Sequence, residues 1–158
     1  MDALSTRINS LPASATLAMA AKARELKNKG IDIIGLSLGE PDFNTPEFIK
    51  EAAINAVNEN WNSYSPVDGY ADLKEAICEK FKRDNNLDYK PSQVVVSTGA
   101  KQSIANLCLV LLDPGDEVLL PAPYWVSYSA IATLAEATST IIPSTIKNDF
   151  KITPEQLE

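Results

Sequence analysis

The residues with the clearest chemical potential form a strand-to-helix turn, Ser97-Thr98-Gly99-Ala100-Lys101. A glycine there lets backbone approach a ligand, and the first turn of the helix that follows offers N–H groups without intrahelical acceptors at the positive end of its dipole. Together these suit a phosphate, the dipole alone contributing about 0.3–1 kcal/mol. Lys101 is the only basic side chain between Pro91 and Ile146, so a cation stands beside the turn. A tight turn followed by a solvated lysine explains the same residues without any ligand. The pattern is neither a P-loop nor the three-glycine dinucleotide fingerprint, so it gives a nucleotide reading little support.

Three further places carry chemistry. Pro121-Ala122-Pro123-Tyr124-Trp125 follows an apolar strand, the end at which open α/β sheets place their ligands, and Trp125 could stack on a planar ring or equally fill a core. Gly39, in Gly39-Glu40-Pro41-Asp42-Phe43, could present its backbone to a substrate, although a turn requirement explains a glycine there as well. Tyr64 offers a phenol able to donate to an anion, or simply packs its loop.

These residues need elements to hold them. Ser14 to Gly30 reads as an amphipathic helix with a glycine stop, and Ile31 to Leu38 as a short strand running into the Gly39 turn. Thr45-Pro46-Glu47 has the composition of a helix start, in which Thr45 can accept from a free N–H. Asn60 to Tyr70 is an aromatic loop, and Ala71 to Asn85 a second amphipathic helix. Gln93 to Thr98 is a β-branched run of the kind produced by a parallel strand covered on both faces. Ile104, Leu107, Cys108 and Leu111 then mark a helix, closed by Asp113-Pro114-Gly115-Asp116. Glu117 to Leu120 is a strand, Trp125 to Ala135 a helix and Ala137 to Ile142 a third strand, while Thr153 to Glu158 reads as the first turn of another helix. Strand, helix, strand, helix, strand predicts an α/β fold, a three-layer sandwich around a mainly parallel sheet. Three strands leave an edge and apolar faces open, so more chain or a partner is expected.

Composition excludes several classes of function. The 158 residues carry 14 basic and 21 acidic side chains, a formal charge of −7, which argues against a nucleic-acid partner. The absence of histidine removes most zinc sites and any histidine general base. With only Cys78 and Cys108, no apolar leader and no long apolar run, a cytoplasmic protein outside the membrane is expected.

The order and spacing of these segments resemble the class I (fold type I) pyridoxal-phosphate aminotransferases, most closely the bacterial-type aspartate aminotransferases. The matching stretches are Pro12-Ala13-Ser14-Ala15-Thr16, Leu38 to Phe43, Tyr64 through Gly69 to Leu73 and Ile77, Ser97 to Gln102, Asp113 to Val118 and Pro123 to Tyr128, which together span essentially the whole chain. The resemblance implies pyridoxal 5′-phosphate as cofactor, with Gly99, Ala100 and Lys101 at its phosphate and Trp125 stacked on its ring. It implies that Gly39 meets the substrate carboxylate, and that Tyr64 reaches the phosphate of a neighbouring subunit in a homodimer with shared active sites. It divides the chain into an N-terminal arm and small-domain portion, 1–44, and the N-terminal portion of the large cofactor-binding domain, 45–158.

Amino-acid and 2-keto-acid substrates follow from the resemblance, the reaction being amino transfer from aspartate to 2-oxoglutarate. Enzymes of this family are more than twice as long. None of the lysines here matches their Schiff-base lysine, so no catalytic residue is expected within this chain and the segment alone is expected to be inactive. The alternatives are a non-catalytic binding or dimer-forming module, and an aminotransferase for an aromatic amino acid or prephenate.

Overall fold

The computed structural model describes residues 3–36 and 38–158. Its helices are α1 (Thr6–Asn9), α2 (Ala15–Asn28), α3 (Glu47–Asn58), α4 (Ala71–Asn85), α5 (Ala100–Leu111) and α6 (Ser127–Leu134), with strands β1 (Glu117–Ala122) and β2 (Thr138–Pro143). Short 3₁₀ turns lie at Pro91–Gln93, Ile146–Asn148 and Pro154–Gln156. Contacts divide the chain into two compact units, one formed by the described part of 1–12 with Asp68–Glu158, the other by Ala13–Val67.

In the second unit, α2 begins where the Ser14 hydroxyl accepts from the Leu17 N–H at 3.3 Å, and it ends before Gly30, whose φ of +77° an L side chain resists. Helix α3 starts at the expected place but not by the expected cap. No side chain caps it; the Pro46 carbonyl instead accepts from the Ile49 N–H at 3.1 Å. The strand expected over Ile31 to Leu38 is not formed among the described residues, and Ser37 lies outside them. A strand exists only through hydrogen bonds to a neighbour, which an apolar run cannot supply for itself.

In the first unit, α4 closes on Asn86 in the left-handed conformation, with the Leu87 N–H returning to the Phe81 carbonyl at 3.1 Å. Strands β1 and β2 pair in parallel, Leu120 opposite Ile141, and α6 supplies the crossover that a parallel pair requires. The buried apolar residues of this part of the chain are Leu120 and Ile142, on the strands, with Ile131 and Ala132 of α6 and Ala135 and Ala137 just after it. Leu119 and Ile141, which the register places on opposite faces of the sheet, are 45% and 46% exposed. Among the described residues the sheet has these two strands.

The strand expected over Gln93 to Thr98 is not formed among the described residues. Its Gln93 belongs to the 3₁₀ turn, Val94 has extended dihedrals, and the segment pairs with no ladder. What holds it is the loop before α4. The Asp68 carbonyl accepts from the Val96 N–H at 3.1 Å, and Gly69, at φ +100°, lies so close that a Cβ there would meet Val96 Cγ2 at 2.5 Å. The Lys74 ammonium, on a side chain only 12% exposed, donates to the Asp68 carboxylate.

That ammonium holds the Asp68 carboxyl below its ordinary range, with backbone hydrogen bonding acting in the same direction. A carboxyl depressed in the folded state stabilises the fold above its unfolded pKa of about 3.9, and the contribution disappears as pH falls through the folded value. Asp68→Asn should accordingly lower the urea midpoint of the intact protein at neutral pH. The gap to wild type should close as the medium is acidified below about pH 4; parallel midpoint-against-pH curves for the two proteins would contradict the pairing.

Candidate functional site

The turn between Thr98 and α5 is built by three local devices. Gly99 sits at φ +86°, ψ 158°, a region open in practice only to glycine, and its N–H donates to the Ser97 carbonyl at 2.8 Å. The Thr98 N–H donates to the Gln102 side-chain oxygen at 2.5 Å, so a glutamine in the first helical turn reaches back across it. The Gly99 carbonyl accepts from the Gln102 and Ser103 N–H groups at 3.1 and 3.3 Å. This leaves the N–H groups of Ala100 and Lys101 opening the helix without intrahelical acceptors.

Two observations make this turn fit an anionic group. Nothing lies within 4 Å of where a Cβ on Gly99 would project, so the approach to the turn is clear. The charge of Lys101 is also nearby, its Nζ 5.5 Å from the centre of the Trp125 ring. An ammonium facing an indole gains about 0.5–1 kcal/mol at an exposed site. Trp125 is 47% exposed and follows β1 through the cis peptide Ala122–Pro123. Its carbonyl accepts from the Tyr128 N–H at 3.0 Å at the start of α6, which ties the tryptophan to both strand end and helix.

Beside the turn, α5 and α6 border a shallow, open depression of about 490 Å³ lined by Thr98, Lys101, Gln102, Ala105, Ser127 and Ala130. Gly99, Ala100 and Trp125 do not border it, so the depression adjoins the turn's helix rather than its open approach.

Of the sequence-predicted residues, the first unit brings Gly99, Ala100, Lys101 and Trp125 into one neighbourhood. Gly39 and Tyr64 belong to the second unit. Gly39 has no positive φ and open space where its Cβ would lie, so turn geometry does not demand a glycine there. The Tyr64 side chain is fully exposed. Sequence reasoning passed over Gln102, Asp68 and Lys74. The glutamine was visible as a capping-box residue three positions after the helix cap, whereas the Asp68–Lys74 pair, six residues apart across a helix start, has no local signature. Among the described residues no cluster of acidic or cysteine side chains could hold a metal ion.

A glycine turn at a helix start, with an aromatic ring and a cation beside it and a parallel β–α–β unit following, is what the chain brings to the comparisons made against known proteins. The profile of the aminotransferase class I and II family matches residues 31–158, and the chain belongs to that family. It is 52% identical over 155 residues to an aspartate/prephenate aminotransferase of Nitrosomonas europaea, and 51% identical over 155 residues to an aspartate aminotransferase of Bacillus subtilis. Each alignment covers 98% of this chain and 39% of the relative, so the chain spans well under half the length of these proteins. Among solved structures, the aspartate aminotransferase of Rhizobium meliloti superposes with a TM-score of 0.92 at 42% identity, over 98% of this chain and 38% of that one. That of Thermus thermophilus with maleate gives 0.93 at 41% identity, over 99% and 41%. The fold is that of the N-terminal part of these enzymes, whose family uses pyridoxal 5′-phosphate.

The two glycines separate conformation from approach. Gly99→Ala should destabilise the intact protein by about 1–3 kcal/mol through backbone strain, although no atom obstructs the methyl group. Gly39→Ala should change stability by less than about 0.5 kcal/mol. Thermal or urea unfolding of the pair checks both, and equal losses would refute the distinction.

Proposed function

We propose that the intact protein transfers the amino group of aspartate to 2-oxoglutarate, using pyridoxal 5′-phosphate. The observation that carries this reading is the turn at Gly99, with two amides and the Lys101 charge at an unobstructed helix start, in a chain 51% identical to an enzyme named for aspartate amino transfer. In this reading the Ala100 and Lys101 N–H groups hold the cofactor phosphate. Gly99 supplies the conformation and the clear approach, and the Lys101 ammonium adds charge. The Trp125 indole lies against the pyridine ring and keeps water from that face. Gly39 presents backbone to the substrate carboxylate, and Tyr64 donates its phenol to the phosphate held by a second copy of the chain. The cofactor, when bound, supplies the electron sink that amino transfer requires.

Several parts of this reading reach beyond the turn. We assign 1–44 to the arm and small-domain portion and 45–158 to the large domain, in a cytoplasmic homodimer. The lysine that moves the proton has no counterpart in these residues, and the segment alone does not turn over substrate. A second acceptor, prephenate, is favoured by the name of the Nitrosomonas europaea relative.

Incubating the intact protein with pyridoxal 5′-phosphate, aspartate and 2-oxoglutarate should yield oxaloacetate, read through a coupled malate dehydrogenase assay. No oxaloacetate from cofactor-loaded protein would overturn the reading, and faster turnover with prephenate than with 2-oxoglutarate would favour the second acceptor. Trp125→Ala should weaken cofactor binding by about tenfold at most, as loss of a stacked ring implies. Tyr64→Phe should weaken it in the dimer and leave a dilution-generated monomer unchanged. Equal loss in both states would show that the phenol serves its own chain.

A further inference from the structure

Helix α4 contributes no residue to the proposed phosphate site, yet its start is tied to the segment that delivers the turn. The tie has three parts. The Asp68 carbonyl accepts from the Val96 N–H at 3.1 Å, three residues before Gly99. Gly69 packs against Val96 so tightly that a Cβ would stand 2.5 Å from Cγ2 and 2.9 Å from Cβ, closer than carbon atoms pack. Lys74, one turn into α4 and 12% exposed, donates to the Asp68 carboxylate, while its own N–H donates to the Tyr70 carbonyl at 3.1 Å.

Beyond the apolar hollow that Val94 and Val95 line with Ile77, Phe81, Leu87 and Tyr89, the segment so held has few backbone hydrogen bonds. Among the described residues Val94 to Thr98 joins no ladder. Its backbone N–H bonds there run from Val94 to the adjacent Pro91, from Val96 to Asp68, and from Thr98 forward to Gln102. The Val96 bond is the one that reaches another part of the chain. Ser97, whose carbonyl accepts from the Gly99 N–H at 2.8 Å, comes immediately after it. A displacement at Val96 therefore reaches the turn through two residues, and misplacing a binding group by about 1 Å can cost about a hundredfold in a site that depends on orientation.

We infer that Asp68, Gly69 and Lys74 act as positioning residues for the phosphate turn, Lys74 anchoring the loop whose backbone holds Val96 and thereby the direction in which the Ala100 and Lys101 amides point. The Lys74 ammonium touches neither cofactor nor substrate in this arrangement. Its effect is on the phosphate and leaves the ring contact alone, which distinguishes positioning from general loss of structure. The inference rests on the cofactor reading above.

The test compares two probes on the intact protein, pyridoxal 5′-phosphate and pyridoxal, which lacks the phosphate. Lys74→Met keeps the apolar stem and removes the charge, Asp68→Asn keeps the backbone carbonyl and removes the acceptor charge, and Lys74→Arg restores a donor. In Lys74→Met and Asp68→Asn the dissociation constant for pyridoxal 5′-phosphate should rise about tenfold, with that for pyridoxal moving less than about twofold and Lys74→Arg staying near wild type. Amide hydrogen exchange across 96–101 in the cofactor-free protein should quicken in the first two variants. Parallel changes for both probes, or none for either, would overturn the inference, because simple unfolding weakens both alike. If wild type binds neither probe, the cofactor reading fails instead, and the exchange measurement still decides whether the tie controls the turn.

Discussion

A helix cannot satisfy its own first amides, and the organisation around Gly99 follows from that constraint. Of the five N–H groups from Thr98 to Gln102 the chain uses three internally: Gly99 donates to Ser97, Thr98 to the Gln102 side chain, and Gln102 to Gly99. The amides of Ala100 and Lys101 remain. Only a residue without a Cβ accepts the dihedrals at Gly99 readily, so the glycine both makes the turn and clears the approach to it.

Because that open end is polar and oriented, what surrounds it must hold it still. Trp125 is placed by the exit from β1 and the entry to α6, and it draws the Lys101 ammonium toward its ring. The two-stranded sheet leaves Leu119 on one face and Ile141 on the other half open, while α5 exposes Leu107, Leu109, Val110 and Leu111. Burial at about 25 cal/mol per Å² is the main stabilising resource of a domain, and much of it is unrealised here. These apolar surfaces accord with relatives of which the chain spans 39%.

Helices were the most readable features. Ser14 ahead of α2, Gly30 behind it, and the apolar spacing of α4 placed those elements within a residue or two, since caps and periodicity are written into adjacent positions. The turn residues Gly99, Ala100 and Lys101 were readable for the same reason. Apolar β-branched runs misled: Ile31 to Leu38 and Gln93 to Thr98 have strand composition and join no sheet among the described residues. The four residues of α1, capped by the Ser5 hydroxyl, were too short to carry a period.

Order along the chain was thus enough for the family, the helices and the glycine turn before α5, because each depends on residues close together in sequence. Folding in space settled which extended segments pair, that Lys101 meets Trp125, and that Asp68 meets both Lys74 and the backbone of Val96. The physical reason is the reach of the bonds involved. A helix closes its hydrogen bonds within itself, whereas a strand, an ion pair across a loop or an ammonium over a ring takes its partner from elsewhere, and nothing in a local stretch of residues names that partner.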